Sequence, residues 1–225
     1  MGAKLAHIPS EEQTKENMDN MYRWTRHIYD ATRKYYLLGR DYLVEHLDAK
    51  DGENVCEVGC GTARNLIKIA KRYPSANFYG LDASEEMLKT AQSNVDSANM
   101  SHPVVLKQAY SQSFTPTELF EIDKPLDKIV FSYALSIIPP WQDSIDHAYD
   151  LLPQGGEMHV VDFGAQKGLS RRFRSFLFWW LQKFHVYYRP EILRYFKKME
   201  KDGKGTLELT HLYKGYAYHV VFKKI

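Results

Sequence analysis

Glu57-Val58-Gly59-Cys60-Gly61-Thr62-Ala63 is the stretch on which the reading turns. Before it, NVCEV (54–58) is short, apolar and β-prone. After it, Arg64 to Tyr73 has helical periodicity and stops at Pro74. Gly59 and Gly61 let the chain turn tightly between strand and helix and approach a ligand more closely than a side chain would allow. The turn also points the first amides of the helix at that ligand. A second strand, NFYGL (77–81), delivers Asp82, 25 residues after Glu57. A carboxylate there suits a ribose diol, accepting hydrogen bonds from both hydroxyls. The glycine pair alone is weak evidence; the order strand, loop, helix, strand, acid is much stronger.

Working outward, the alternation continues. Ser84 to Val95 reads as a helix with Glu85 and Glu86 in its first turn, where they suit the positive helix end. PVVLKQ (103–108) and KIVFSYAL (128–135) are strand candidates. Ile145–Leu152 is a helix ended by the turn LPQGG, and EMHVVDF (157–163) is a fifth strand. Strands spaced by helices at this interval predict right-handed βαβ units and a mainly parallel sheet. A helical stretch over 169–202 comes next, then two β runs around Lys214-Gly215, a terminal hairpin. Residues 11–48 read as helical, with Tyr22, Tyr29 and Tyr36 seven apart and Gly39 as a possible break. Two helices packing an aromatic face on a core explain that stripe equally well. The expected division is an N-terminal helical extension or lid, 1–48, and one domain, 49–225, with 167–202 as a basic-aromatic helical insertion.

The chain has 225 residues, 44% apolar and 26% charged, with a net charge of +2. That fits one globular domain and excludes a polycation built to coat nucleic acid. Two cysteines, Cys56 and Cys60, make no disulfide scaffold. The longest apolar run, Phe176 to Leu181, is far below the roughly 20 residues of a membrane-spanning helix. The first residues contain no signal-peptide core, and Ala6 stands where a myristoylation signal needs Ser or Thr. The expectation is a cytoplasmic, reduced protein. Charge is uneven: between Lys167 and Lys201, ten Lys and Arg face only Glu191 and Glu200. Apolar bulk interrupts that charge and no recognition motif accompanies it, so no nucleic acid is expected as partner.

The glycine loop fits either NAD, whose pyrophosphate it would cradle, or S-adenosylmethionine (SAM), which needs only closeness. E-x-G-x-G-x-A after a strand resembles the first motif of the seven-stranded SAM-dependent methyltransferases, with Ala63 in place of the commoner third glycine. The Asp82 strand resembles their acidic second motif. Over residues 50–165 this resemblance implies an α/β, Rossmann-like fold: a seven-stranded, mainly parallel sheet with an antiparallel C-terminal hairpin and helices on both faces. It also implies roles. Glu57, Gly59 and Gly61 would line the methionine part of SAM, Asp82 would hold the ribose, and Ala83 and Met87 would pack near the adenine. Gln108, Ala109 and Tyr110 would border the adenine edge, with Phe131, Ser132 and Tyr133 as the floor beneath the sulfonium. Plain core packing is the alternative for Phe131 and Tyr133. The expected product is S-adenosylhomocysteine (SAH).

A narrower resemblance covers nearly the whole chain. MYRWTRHIYDATRKYYLLGRD (21–41), GTARNL (61–66), YALSIIPPW (133–141), VVDFG (160–164), RFRSFLFWWLQKFHVYYRPE and the LYKGYAY end resemble the betaine-lipid N-methyltransferases. These methylate the amine of diacylglycerylhomoserine three times to give diacylglyceryl-trimethylhomoserine (DGTS). A phosphatidylethanolamine methyltransferase is the nearest rival. On a helical wheel, Leu169, Phe173, Phe176, Leu177, Trp180, Leu181 and Phe184 form one stripe, while Phe178 and Trp179 fall among Arg171, Arg172 and Lys183. Aromatics interleaved with Arg suit an anionic membrane surface, with a helix buried on two sides as the alternative. The implied partners are a lipid headgroup, that surface and the enzyme that makes diacylglycerylhomoserine. Quaternary ammonium is stabilised by aromatic faces, which makes Tyr22, Tyr29, Tyr36 and Tyr133 candidates for a cage around the transfer centre. Arg33 or Arg40 could pair with a carboxylate, and His185 could take the amine's proton; each could equally be structural. No metal-ligand spacing and no G-x-S-x-G elbow is present.

Overall fold

A computed structural model describes residues 37–100, 102–166, 168, 170, 175 and 188–225. Helix α1 (Arg40–His46) starts at Gly39, whose φ of 93° only glycine adopts readily. An added Cβ there would meet Leu212 at 2.9 Å and Val161 at 3.1 Å. The expected break at Gly39 is thus the start of a helix seated directly on the sheet. Next come β1 (Asn54–Val58), α2 (Arg64–Arg72), β2 (Asn77–Asp82) and α3 (Glu85–Ser97). All five β1 residues are buried, as expected of a central strand covered on both faces. Helix α2 ends at Arg72, ahead of Pro74, which cannot continue it.

The chain continues with β3 (Val104–Gln108), α4 (Pro116–Phe120), β4 (Lys128–Ser132), α5 (Trp141–Leu151) and β5 (Glu157–Phe163). It closes with α6 (Pro190–Lys201), β6 (Gly205–Leu212), a 3-10 turn (Tyr213–Gly215) and β7 (Ala217–Lys224). The seven strands are ordered β3-β2-β1-β4-β5-β7-β6. β1 to β5 pair in parallel, and β7 runs antiparallel to both β5 and β6. This is the sheet and terminal hairpin that the sequence implies.

One face of the sheet packs Leu43, Leu66, Ile69, Ala91 and Val95 from α1, α2 and α3. The other packs Phe120, Ile145, Ala148, Ile192 and Phe196 from α4, α5 and α6. Burying one such aromatic or aliphatic side chain contributes about 1.5–3 kcal/mol. The two directions of winding part between β1 and β4, where an open α/β sheet leaves a crevice at its carboxyl edge.

Three points differ from the sequence reading. β4 ends at Ser132 and not at Leu135, because Tyr133 takes φ 57° and turns the chain off the sheet. Helix α4 is a single five-residue turn, too short to show periodicity. The expected helix over 169–202 restarts at Pro190, a favoured first helical residue, and its Ile192, Phe196 and Met199 are core side chains. The stripe built on Leu169, Phe173, Phe176, Leu177, Trp180, Leu181 and Phe184 lies outside the described residues, as do Phe178 and Trp179. Among the described residues, no helix is long and apolar enough to cross a membrane.

Candidate active site

The crevice at the β1/β4 switch point is built on the glycine loop. The amides of Gly59 and Cys60 both donate to the Leu81 carbonyl, at 2.8 and 3.0 Å, which folds the loop over the end of β2. Gly59 (φ 71°) and Gly61 (φ 54°) turn in the left-handed region. A Cβ at Gly59 would stand 3.0 Å from that of Ala134, so the loop approaches the β4 side closely. Ala63 holds φ 57° at the start of α2, a conformation that costs a residue with a Cβ about 1 kcal/mol.

Asp82 fastens this loop. One carboxylate oxygen accepts the Gly61 amide at 2.8 Å, and the other accepts the Ser84 amide at 2.9 Å. Ser84 in turn caps α3 by accepting the Met87 amide. Asp82 therefore fixes both walls of the turn while remaining on the pocket lining.

Glu57, at the end of β1, is 2% exposed. Its Oε1 accepts the Asn65 side-chain amide at 2.9 Å. Its Oε2 makes no hydrogen bond of normal geometry among the described residues. Burial pushes its carboxyl up to about 7, against the opposing pull of Asn65, Arg40 and the nearby Leu66 amide. Arg40 reaches the pocket from α1: its Nε donates to Ser132 Oγ at 3.2 Å, and its guanidinium lies 5.8 Å from the Tyr133 ring centre. Tyr133 donates its hydroxyl to the Leu38 carbonyl and stacks edge-on against Phe163.

The structure thus brings Arg40, Glu57, Gly59, Gly61, Asp82, Ser132 and Tyr133 around one pocket. It adds Thr62, Arg64, Asn65, Ala134, Ile137 and Ile138, which sequence reasoning did not single out. Asn65 was the readable one among them, standing in the first helical turn after the glycines, where its amide faces the end of β1. Gln108 sits beside Asp82 in register, its Nε2 donating to the Ala83 carbonyl at 2.9 Å. Ala109 and Tyr110 line a second cleft with Phe114 and Glu118. Met87 is buried under α3.

Phe131 follows its core-packing alternative. Phe131 is not part of the pocket floor: alternation along β4 turns it into the core on the α5/α6 face, fully buried among Val58, Leu81 and Val160. Ser132 and Tyr133 supply that floor. Tyr133 lines the pocket with its hydroxyl donated to the Leu38 carbonyl, and burial pushes that hydroxyl well above its ordinary pKa. Tyr22, Tyr29, Arg33, Tyr36 and His185 lie outside the described residues. Burial also raises both the Cys56 and Cys60 thiols above their ordinary pKa.

The residues suit an adenosyl amino acid. Glu57 Oε2 is a buried acceptor, unpartnered among the described residues and suited to an ammonium. Asp82 is a carboxylate placed for a diol, and the glycines leave room for a close approach. Among the described residues no cluster of three His, Cys, Asp or Glu could hold a metal ion.

Comparison with known proteins agrees with this geometry. A family described as a methyltransferase domain matches residues 49–198, and the chain belongs to it. It is a SAM-dependent methyltransferase. The chain is 27% identical to a demethylmenaquinone methyltransferase of Listeria monocytogenes serotype 4a (strain HCC23) over 188 residues, 82% of this chain and 73% of that protein. It is 31% identical to a malonyl-[acyl-carrier protein] O-methyltransferase of Ilyobacter polytropus over 117 residues, 52% of this chain and 40% of that one. Its fold resembles magnesium protoporphyrin IX methyltransferase from Synechocystis PCC 6803, solved with bound SAM, with a TM-score of 0.65 and 18% identity over 99% of this chain and 100% of that one.

Proposed function

We propose that this protein N-methylates the amine of a lipid headgroup at a membrane surface, and that diacylglycerylhomoserine, carried through three methylations to DGTS, is the acceptor. The observation that carries the reading is the charge set in the pocket. A guanidinium from α1, Arg40, sits at the Ser132-Tyr133 floor beside the buried acid Glu57. Such a pair suits amino-acid moieties, of which this reaction brings two, one on the cofactor and one on the acceptor. The whole-chain resemblance to betaine-lipid N-methyltransferases points the same way.

When bound, SAM supplies a methyl group already activated by its sulfonium. Gly59 and Gly61 give its methionine part backbone contact, Asp82 accepts from its ribose hydroxyls, and Glu57 Oε2 accepts from its ammonium. Arg40 pairs with a carboxylate. The protein's contribution is then mostly alignment and exclusion of water, which supplies several kcal/mol. The acceptor amine must shed a proton before each attack; His185 is the candidate acceptor. The enzyme acts peripherally at the cytoplasmic membrane face, where basic side chains contribute on the order of 1 kcal/mol each against anionic lipid. It takes its substrate from the enzyme that makes diacylglycerylhomoserine.

A second reading is ring methylation of an isoprenoid quinone, favoured by the 27% identity to a demethylmenaquinone methyltransferase over most of both chains. Mass spectrometry separates the readings. Protein and SAM are incubated with diacylglycerylhomoserine, phosphatidylethanolamine or demethylmenaquinone in mixed micelles. Successive gains of one CH2 on the first lipid alone support DGTS synthesis. Gains on the second reassign the headgroup, and a single gain on the quinone replaces the proposal.

A further inference from the structure

A second buried carboxylate ends β5. Asp162 is 1% exposed. Its Oδ1 accepts the Phe163 amide at 2.7 Å and its Oδ2 accepts the Ser136 amide at 3.0 Å. Burial still lifts its carboxyl to about 6, with the Arg189 guanidinium pulling the other way. Tyr218 stands opposite Asp162 in the β5/β7 register, so the two side chains leave the same face of the sheet. The Tyr218 hydroxyl is buried and makes no hydrogen bond among the described residues. Four residues beyond Asp162, Gln166 is fully buried, and neither its amide oxygen nor its amide nitrogen has a partner among them. Arg189 closes the group, its Nε donating to the Ser136 carbonyl at 3.3 Å.

Buried polar groups are almost always paired, and each exception needs a reason. Two features give these exceptions one. The first is position: Ser136 lies on the loop whose Ala134, Ile137 and Ile138 line the cofactor pocket, so the group sits next to it. The second is the mixed charge. A buried acid beside a guanidinium matches a ligand carrying a cation and an anion a few bonds apart. A neutral quinone ring offers no such match. Arg189 and Tyr188 are half-buried, which puts the outward wall of the group on their side.

We infer that Asp162, Tyr218 and Arg189 form a subsite for a zwitterionic headgroup, with its ammonium held by Asp162 and Tyr218 and its anionic group by Arg189. This rests on the amine-methylation reading and narrows it to heads that bear both charges. A homoserine carboxylate and an ethanolamine phosphate share that chemistry.

The test uses Tyr218→Phe, which removes an oxygen without emptying space, and Asp162→Asn. Each full-length variant is assayed with diacylglycerylhomoserine and with phosphatidylethanolamine. SAM affinity is measured by calorimetry and folding by thermal melt. Homoserine and phosphoethanolamine are also dialysed against the SAH-loaded protein. Tyr218→Phe is expected to melt as the parent does and bind SAM equally, while KM for one of the two lipids rises about tenfold, the size of one lost hydrogen bond to a charged group. The matching soluble head should lose affinity by a similar factor. If the parent methylates an amine lipid and Tyr218→Phe keeps KM and head binding within twofold, the subsite is overturned and the amine reading stands. If the parent methylates only the quinone, the amine reading fails. Head binding then decides: a head bound by the parent and lost in Tyr218→Phe keeps the subsite, and no head bound discards it.

Discussion

Asp82 and Asp162 are built alike and placed differently. Each is a buried aspartate at the carboxyl end of a parallel strand, and each holds two backbone amides, one near in sequence and one on a distant loop. Asp82 fastens the glycine loop and Asp162 fastens the loop after β4. Around Asp82 the surroundings open into a pocket. Around Asp162, Tyr218 and Gln166 hold polar atoms unpartnered among the described residues. The same device therefore fastens a loop on each side of the switch point, one lining the pocket and the other carrying the proposed headgroup subsite.

The strongest challenge to that comparison is Asp82→Ala. It removes the anchor of the glycine loop along with the proposed ribose contact, and calorimetry should show SAM affinity falling by about 3 kcal/mol, more than a hundredfold. Unchanged affinity would make Asp82 only a loop clasp. Next is the pH dependence of Asp162. Its folded pKa, about 6, lies above its ordinary value. Its contribution is thus fully present below about pH 4 and lost as pH rises through 6. Relative to Asp162→Asn, the parent should lose on the order of 2–3 kcal/mol of unfolding free energy between pH 4 and 7, read by urea titration at each pH. Equal slopes would mean Asp162 is ionised throughout.

Glu57 should give a smaller effect. Its carboxyl is pushed up to about 7, so SAM binding should tighten as pH rises through that value, because only the ionised acid attracts an ammonium. Glu57→Gln should abolish this trend and weaken binding at pH 8 by about 1–2 kcal/mol. The smallest effect belongs to Ala63→Gly. Relief of φ 57° should raise stability by at most about 1 kcal/mol, partly offset by the greater freedom of glycine in the unfolded chain. A loss would show that the buried Ala63 methyl outweighs the strain.

How much of the molecule is readable from sequence depends on range. The glycine loop, Asp82 and the β1–α2–β2 unit are signalled within a short window by residue type and period, and the structure reproduces them. The hairpin is marked by Lys214-Gly215 between two β runs. The clasp of Asp162 on Ser136 joins residues 26 apart through a parallel strand pair, and no local pattern announces it. The unpartnered Tyr218 hydroxyl depends on β7 lying beside β5, which tyrosine in a strand cannot reveal. Phe131 is misplaced by sequence reasoning because a strand buried on both faces is apolar throughout, so alternation is invisible in its sequence although it still governs direction. The β4 overrun has the same source: SYAL stays apolar and β-prone while the backbone turns away at Tyr133.

The strand order carries one more consequence, for assembly of the sheet. β7 lies between β5 and β6 although it comes after both in the chain. Until β7 docks, β5 presents a bare edge of unpaired amides and carbonyls, and β6 has no neighbour at all. An open edge of that kind pairs readily with another chain. Translation that stalls short of Ala217 would therefore yield an association-prone fragment, with Asp162 already in place and its opposite number, Tyr218, still to come.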